Sequence, residues 1–465
     1  MDRRIEEAQT RGAHVLDKAH RRTTIAITMI VTTVAFEAMS ANMIMPMVAT
    51  ELDAVSSYGW AFSAFLAASV PGMVLAGRLT DRGRLRPTFI GSLVLFTVGL
   101  TLGGLSWAFP VFVLGRALQG FGGGLYIVAV YVLIARLYPE GLRPRMFAVM
   151  PAAWAIAALL TPWLAATVAS TWTWRANYLG TPPLILLATV AIALSIGSSG
   201  DEKVRKDPSG RPSVLRYTVA AAVGIGLLQF AGQNFSVGLL PVLLAGTALL
   251  VVGAPRLLPV GSLRFAQGVP AITTLRGVLG GAYVTAQSFV PLLLVEERGV
   301  STSAAGAALS VSAMAWAVGA WYQGRKSVQH ARRMLLRGGC ALATIGITTM
   351  SLLLVPDLPA MAIAVGAGVV GGVGMGMAVP SISVLLFEQS LPGEQGSNAA
   401  ALQVSDSLGS AAALALTGMT FAQLESSTAV GFAAIVTLAG LLGVCATLLS
   451  RRCFTTRSAV LLPAA

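Results

Sequence analysis

Fourteen apolar runs, most of them about twenty residues long, follow one another along this chain of 465 residues. No other feature narrows the possible folds as far. The runs lie at roughly 24–49, 59–77, 88–108, 111–135, 146–169, 177–197, 216–234, 238–254, 273–295, 303–324, 334–355, 360–386, 398–422 and 429–449. At 1.5 Å per helical residue each can cross a hydrocarbon layer of about 30 Å, the seventh and eighth with least to spare. Only 11% of the residues are charged and the mean hydropathy is +0.76, against about 25% charged in soluble domains. The expectation is an all-α integral membrane protein.

The placement of charge tests the count. Cytoplasmic segments of membrane proteins are enriched in Lys and Arg. With fourteen crossings, every one of the 32 basic residues falls on one side except Arg116, Arg175 and Arg298. If the seventh and eighth runs merged into one crossing, Arg325, Lys326, Arg332, Arg333 and Arg337 would all move outside. Two crossings or a re-entrant hairpin over 216–254 both satisfy the asymmetry. Both termini are then cytoplasmic.

The expected organisation is a tail (1–23), a six-span bundle (24–197), a polar linker (198–215), two inserted spans (216–254), a basic connection (255–272), a second six-span bundle (273–449) and a second tail (450–465). "GRLTDRGRLRP" (Gly77–Pro87) follows the second span of the first bundle, and "GRKSVQHARRM" (Gly324–Met334) follows the second span of the last. This faint repeat, at the same topological point, suggests two pseudo-equivalent bundles around a central site. The second copy lacks an acid matching Asp81.

Several function classes are excluded. The net charge of +13 sits in short loops, not on one soluble face, so nucleic acid is not the partner. Cys340, Cys445 and Cys453 have no metal-ligand spacing and are expected to be free thiols. The three histidines (His14, His20, His330) are in loops, and no hydrolytic, redox or nucleotide-binding constellation appears. No enzyme, metal or cofactor is expected. The opening "MDRRIEEAQTRGAHVLDKAHRR" is too long and too acidic for a signal peptide and reads as a cytoplasmic tail.

Four stretches carry a resemblance. Gly77, Leu79, Asp81, Arg82, Gly83, Arg84 and Arg86 resemble the G-x-L-x-D-R-x-G-R-R loop of the major facilitator superfamily. A positive-inside loop accounts for the arginines but not for the acid or the glycines. "RALQGFGGG" (Arg116–Gly124) resembles the R-x-x-Q-G-x-G pattern of the same superfamily. "FEAMSANMIMP" (Phe36–Pro46) resembles the first-span motif of the fourteen-span drug:proton antiporter family, with Glu37, Asn42 and Pro46 at the acid, asparagine and proline positions. "WTWRANYLGTPP" (Trp172–Pro183) partly resembles that family's outer loop. The fifth span departs from the pattern. "AIAALLTPWLAA" keeps Pro162 but has Thr161, Ala165 and Ala166 where the family has glycines, so that motif supports the fold without supporting antiport.

The resemblance implies a major facilitator fold, two six-helix bundles with two extra helices between them. It further implies a conformational gate at Gly77, Asp81, Arg82, Gly83, Arg84 and Arg86 that latches the bundles on the cytoplasmic side. An acid there can accept first-turn amides of a helix and pair with arginine. Glu37 lies near mid-bilayer and Arg116 about 9 Å into its span. Such intramembrane charges are costly and usually functional, and the two are expected to form the proton-coupling pair. Asp406, about eight residues into the thirteenth span, reads either as a substrate-facing or proton-linked carboxylate or as an acid paired with a base such as Arg276. Asn42, Gln119, Gln287 and Gln403 are the expected polar points of the substrate cavity. Gly368, Gly372 and Gly376 recur on one face of the twelfth span and suit tight helix packing.

The expected function is proton-driven export of an amphipathic or hydrophobic small molecule by a monomer in the bacterial cytoplasmic membrane, with no cofactor beyond the proton gradient. Two alternatives stand: a carrier of lipid or lipid-linked amphiphiles on the same fold, and a non-transporting receptor or scaffold.

Overall fold

The structure is a computed structural model that describes residues 15–18, 20–54, 57, 59–195, 213–233, 237–325, 331–391, 393–423 and 428–454. The tails up to residue 14 and from residue 455, with the linker 198–212, lie outside the described residues. Fourteen long helices occur among those described. In the first half they are α1 (Arg21–Glu51), α2 (Gly59–Asp81), α3 (Leu85–Gly104), α4 (Phe109–Leu137), α5 (Arg143–Thr171) and α6 (Trp174–Ser195). The insert is α7 (Ser213–Gln233) and α8 (Leu240–Leu257). The second half is α9 (Val269–Glu296), α10 (Thr302–Gln323), α11 (Arg332–Thr349), α12 (Ala360–Gln389), α13 (Gln395–Gln423) and α14 (Thr428–Leu449).

Thirteen of the helices are long and apolar enough to cross a membrane, while α7 carries a shorter apolar stretch, Arg216–Ala231. Most ends extend a few residues beyond the apolar runs, as α5 does by starting at Arg143. Polar residues continue the helix because its terminal amides and carbonyls still need partners at the interface.

The packing is a two-fold repeat. In the first bundle α4 packs on α2 and α3, α1 packs on α5 and α6, and α3 packs on α6. In the second bundle α12 packs on α10 and α11, α9 packs on α13 and α14, and α11 packs on α14. Each contact recurs eight helices later. The bundles meet through α2 with α13 and α5 with α10, which exchange under the same relation.

The register repeats at residue level. Lipid tails are as apolar as leucine, so helices associate by close backbone approach rather than by hydrophobic burial. A Cβ at Gly120 or Gly124 of α4 would lie 2.1 Å from Phe65 O or 2.0 Å from Ser69 O of α2. At Gly372 or Gly376 of α12 it would lie 2.4 Å from Ser312 O or 2.1 Å from Trp316 O of α10. The step that carries Gly77 to Gly324 also carries Phe65 to Ser312 and Ser69 to Trp316. The short Gly-Arg echo in the sequence therefore marks the true alignment of the halves.

The α7–α8 hairpin stands outside this symmetry. Its α7 packs on α2 and α13, along one seam between the bundles. The end of the molecule carrying the Gly77–Pro87 loop is its basic end.

Candidate functional site

A cavity of 490 Å³ lies between the bundles, walled by α1, α2, α4 and α5 on one side and by α9, α10, α12 and α13 on the other. This is within the usual size of small-molecule sites. Its walls are mostly apolar and aromatic: Met39, Met73, Tyr131, Phe147, Met150 and Trp154 face Tyr283, Trp316, Val379 and Pro380.

Asp406 and Arg276 are set into this wall. Arg276 Nη2 donates to Asp406 Oδ2 at 2.8 Å, and the two side chains are 12% and 27% exposed. Asp406 is paired with Arg276 and also lines the cavity. Helix packing places it there. A Cβ at Gly280 of α9 would lie 2.1 Å from Asp406 Oδ1, so a larger residue there would push the carboxylate from its present position.

Gln287 and Gln403 also line the cavity. Gln287 Nε2 donates to the Tyr283 hydroxyl at 3.0 Å, which in turn lies 2.9 Å from Ser312 Oγ. The Asn42 side chain lies outside the described residues.

Glu37, Arg116 and Gln119 form a separate cluster inside the first bundle. Arg116 Nη1 donates to Glu37 Oε1 at 3.2 Å and to Gln119 Oε1 at 2.6 Å. The Arg116 and Glu37 side chains are only 5% and 3% exposed, and none of the three residues lines the cavity. Gln119 was expected there but is fully buried, with its amide oxygen turned to Arg116. One helical turn separates the two residues, and a buried guanidinium needs more than one acceptor. The Arg116 guanidinium also covers the Phe65 ring at 4.6 Å. Glu37 Oε2, Arg116 Nε, Gln119 Nε2 and the Tyr178 hydroxyl are buried and find no hydrogen-bond partner among the described residues.

The basic end holds the side-chain contacts that tie the bundles together. Asp81, the last residue of α2, accepts the Gly396 amide at 2.6 Å on Oδ1 and the Ser397 amide at 2.8 Å on Oδ2, and also accepts from the Ser397 hydroxyl. Asp81 thus caps the N-terminus of α13 in the opposite bundle. It was expected to pair with arginine as well, yet no ion pair to Asp81 occurs within 4.0 Å among the described residues. Free first-turn amides carry a partial positive charge that meets the carboxylate head on.

The basic residues around Asp81 serve the scaffold: Arg86 Nη2 donates to Ala193 O at 3.0 Å and Arg136 Nη2 to Thr80 O at 2.9 Å. Gly77 permits the approach, since a Cβ there would lie 2.8 Å from Gly396 O, and Gly83 turns the chain at φ 77°. Arg82 and Arg84 lie on the same loop, with Arg84 exposed.

The symmetry-related contact uses different chemistry. Gln323 Nε2 of α10 donates to Pro144 O at 2.9 Å, and Arg145 Nε donates to Gly324 O at 3.4 Å. Phe147 of α5, which lines the cavity, stacks on Phe387 of α12 at 5.9 Å across the two bundles.

At the other end Glu51 holds Arg175 and accepts Trp174 Nε1 at 2.6 Å, and Arg175 Nη2 donates to Ser106 O at 2.9 Å. This clamp joins the ends of α1 and α6 to the α3–α4 turn. The Arg175 hydrogen bond holds the Glu51 carboxyl below its ordinary pKa.

Sequence reasoning did not find Gly396 and Ser397, or the cavity aromatics. A capping partner hundreds of residues away leaves no local signal, and apolar wall residues look like any other residue of a span.

The comparisons with known proteins agree with this fold. The family model "Major Facilitator Superfamily" matches residues 25–414. An uncharacterized MFS-type transporter of Mycobacterium tuberculosis is 30% identical over 278 residues, which is 56% of this chain and 39% of the relative. The chain thus spans about two fifths of the length of that relative. A Staphylococcus aureus protein named multidrug efflux pump SdrM is 24% identical over 63% of this chain and 66% of its own. A probable multidrug-efflux transporter of Mycobacterium tuberculosis is 24% identical over 81% of this chain and 82% of its own. Among solved structures, the human organic anion transporter MFSD10 superposes with a TM-score of 0.69 at 13% identity, covering 92% of this chain and 99% of its own. The proton:xylose symporter XylE gives 0.67 at 16% identity, covering 92% and 94%.

Proposed function

The chain belongs to the major facilitator superfamily, and from that premise we propose that it is a proton-coupled exporter of amphipathic or hydrophobic small molecules in the bacterial cytoplasmic membrane. The observation that carries this reading is the 490 Å³ cavity, apolar and aromatic except where the Arg276–Asp406 pair, Gln287, Gln403, Ser383 and Ser407 enter it. Such a wall takes up a lipophilic body and offers few points of polar selection. Relatives named as multidrug efflux proteins support the direction and the substrate class.

The basic end is cytoplasmic by the positive-inside rule. The contacts at Asp81, Gln323 and Phe147 then hold the carrier closed toward the cytoplasm. Rocking of the two bundles about the cavity breaks these contacts and opens that side.

Asp406 is the carboxylate from which substrate and proton compete for the cavity. When it takes a proton, its hold on Arg276 weakens. When it loses the proton, the pair re-forms and the local field changes under the bound substrate. The Glu37–Arg116–Gln119 cluster is the second acid site. It lies off the cavity and is reached through movement within the first bundle.

The test is flux of amphipathic dyes, cationic and neutral, in proteoliposomes under an imposed pH gradient. The proposal expects dye movement against its gradient, driven by protons, that is lost in Asp406→Asn while dye binding is kept. Wild-type protein that moves no dye under a pH gradient, or Asp406→Asn that still couples, overturns it.

A further inference from the structure

The inserted hairpin leaves a second concavity on the outer surface of the bundle. A groove of 590 Å³ runs between α8 and α13, and its lining is almost wholly apolar. Leu243, Leu250 and Pro255 wall it from α8, and Leu408, Ala412 and Leu416 wall it from α13. Leu243 to Pro255 is twelve residues, or about 18 Å of helix, while one leaflet of hydrocarbon is about 15 Å deep. The groove therefore has the length of a single acyl chain.

Its end lies where α8 stops at the basic end, lined there by Ala254, Pro255 and Leu263. The residues that follow Pro255 and Leu263 are both arginines, Arg256 and Arg264. A third, Arg216, reaches the same place from the start of α7. The Arg216 and Arg256 guanidiniums lie 4.7 and 4.4 Å from the centre of one ring, Tyr217. Arg216 Nη2 also donates to the Tyr217 hydroxyl at 2.8 Å.

Among the described residues no acid lies within 4.0 Å of any of these three arginines. Two like charges held on one ring repel each other, and the ring face offsets only part of that. An anion bound by both offsets the conflict, and a phosphate suits it because guanidinium forks bind it in pairs.

We propose that α7, α8 and α13 form a binding site for an anionic phospholipid of the leaflet at the basic end. Its phosphate sits on Arg216, Arg256 and Arg264, and one acyl chain lies in the α8–α13 groove. Basic pockets between membrane helices recognise lipid head groups by this chemistry.

The experiment uses the full chain, purified and delipidated, with phosphatidylglycerol, phosphatidylcholine and inorganic phosphate as probes. Retention of one lipid is read by native mass spectrometry and stabilisation by thermal shift. Phosphatidylglycerol should be retained and should raise Tm, while phosphatidylcholine and inorganic phosphate should not. R216Q combined with R256Q should bind phosphatidylglycerol about thirtyfold more weakly, equivalent to about 2 kcal/mol at about 1 kcal/mol for each basic residue. Ala412→Trp, at an exposed position on the groove wall, keeps the arginines and should also lose the lipid. Equal retention of phosphatidylcholine, equal binding by the arginine variant or by Ala412→Trp, or a full Tm rise with inorganic phosphate would each overturn the proposal.

Discussion

Asp81 and Gly396 stand 315 positions apart in the chain and 2.6 Å apart in space, carboxylate oxygen to backbone amide. The last residue of α2 in one bundle closes the first turn of α13 in the other. A contact of this kind has two states, made and broken. The broken state strands the α13 amides and the carboxylate in water, where both are solvated. A contact that can cycle in this way is what the proposed latch requires.

Asp81→Asn keeps the shape of this cap and removes its charge. Removing an anion from a helix N-terminus costs about 0.3–1 kcal/mol, and up to about 2 kcal/mol where the site is partly buried, so the closed form should lose roughly two- to thirtyfold in population. The measurement is the rate at which Ser383→Cys, on the cavity wall, is labelled from the basic end. Labelling should accelerate in the Asp81→Asn background. An unchanged rate would show that Asp81 does not hold the latch.

Gly396→Ala tests the same contact by steric means. The added Cβ would meet Thr80 Oγ1 at 2.1 Å and Gly77 O at 2.4 Å. The bundles then cannot close at the basic end, and transport should fall with little change in expression. Gly91→Ala is the matched control, since a Cβ there meets nothing within 4 Å. Equal activity in the two variants would dismiss the close approach as a requirement.

Arg116→Ala leaves Glu37 buried and without its cation. Breaking a buried pair by removing one partner costs about 3–5 kcal/mol, so a marked loss of Tm is expected. Glu37→Gln should cost less, because Arg116 keeps Gln119 as an acceptor. Combined with Glu37→Gln, Arg116→Ala should be better tolerated than alone. A thermal-shift series on the three proteins decides, and strictly additive losses would mean that the two groups are not coupled.

Glu51 makes stability depend on pH in a defined direction. Its carboxyl is held below the ordinary value, first by the Arg175 hydrogen bond, so the folded state binds the proton less readily than the unfolded state does. The stabilisation is therefore complete above the unfolded pKa of about 4.3 and is lost as pH falls through the lower folded value. Wild type should melt above Glu51→Gln at neutral pH, with the gap closing in acid. A gap that is constant or widens toward low pH would contradict the assignment.

The spans, the repeat and the family motifs could be read in the sequence because each is a local quantity. Run length decides whether a helix crosses the bilayer, and the charges beside each run decide its side. Glycines four apart decide where two backbones touch, and Gly368, Gly372 and Gly376 of α12 do meet α10. The tertiary structure alone decided what each polar residue faces. Gln119 and Gln403 look alike in sequence, yet one is locked to Arg116 and the other lines the cavity. Asp81 could take helix amides or a cation by local reasoning, and only the fold showed that the amides belong to α13 of the other bundle. Glu37 and Asp406 are both acids within spans, but the first is sealed inside one bundle and the second opens onto the space between the two. The physical reason is one of geometry. Depth along a helix follows from counting residues, whereas the direction a side chain points depends on how that helix is rotated against neighbours far away in the chain.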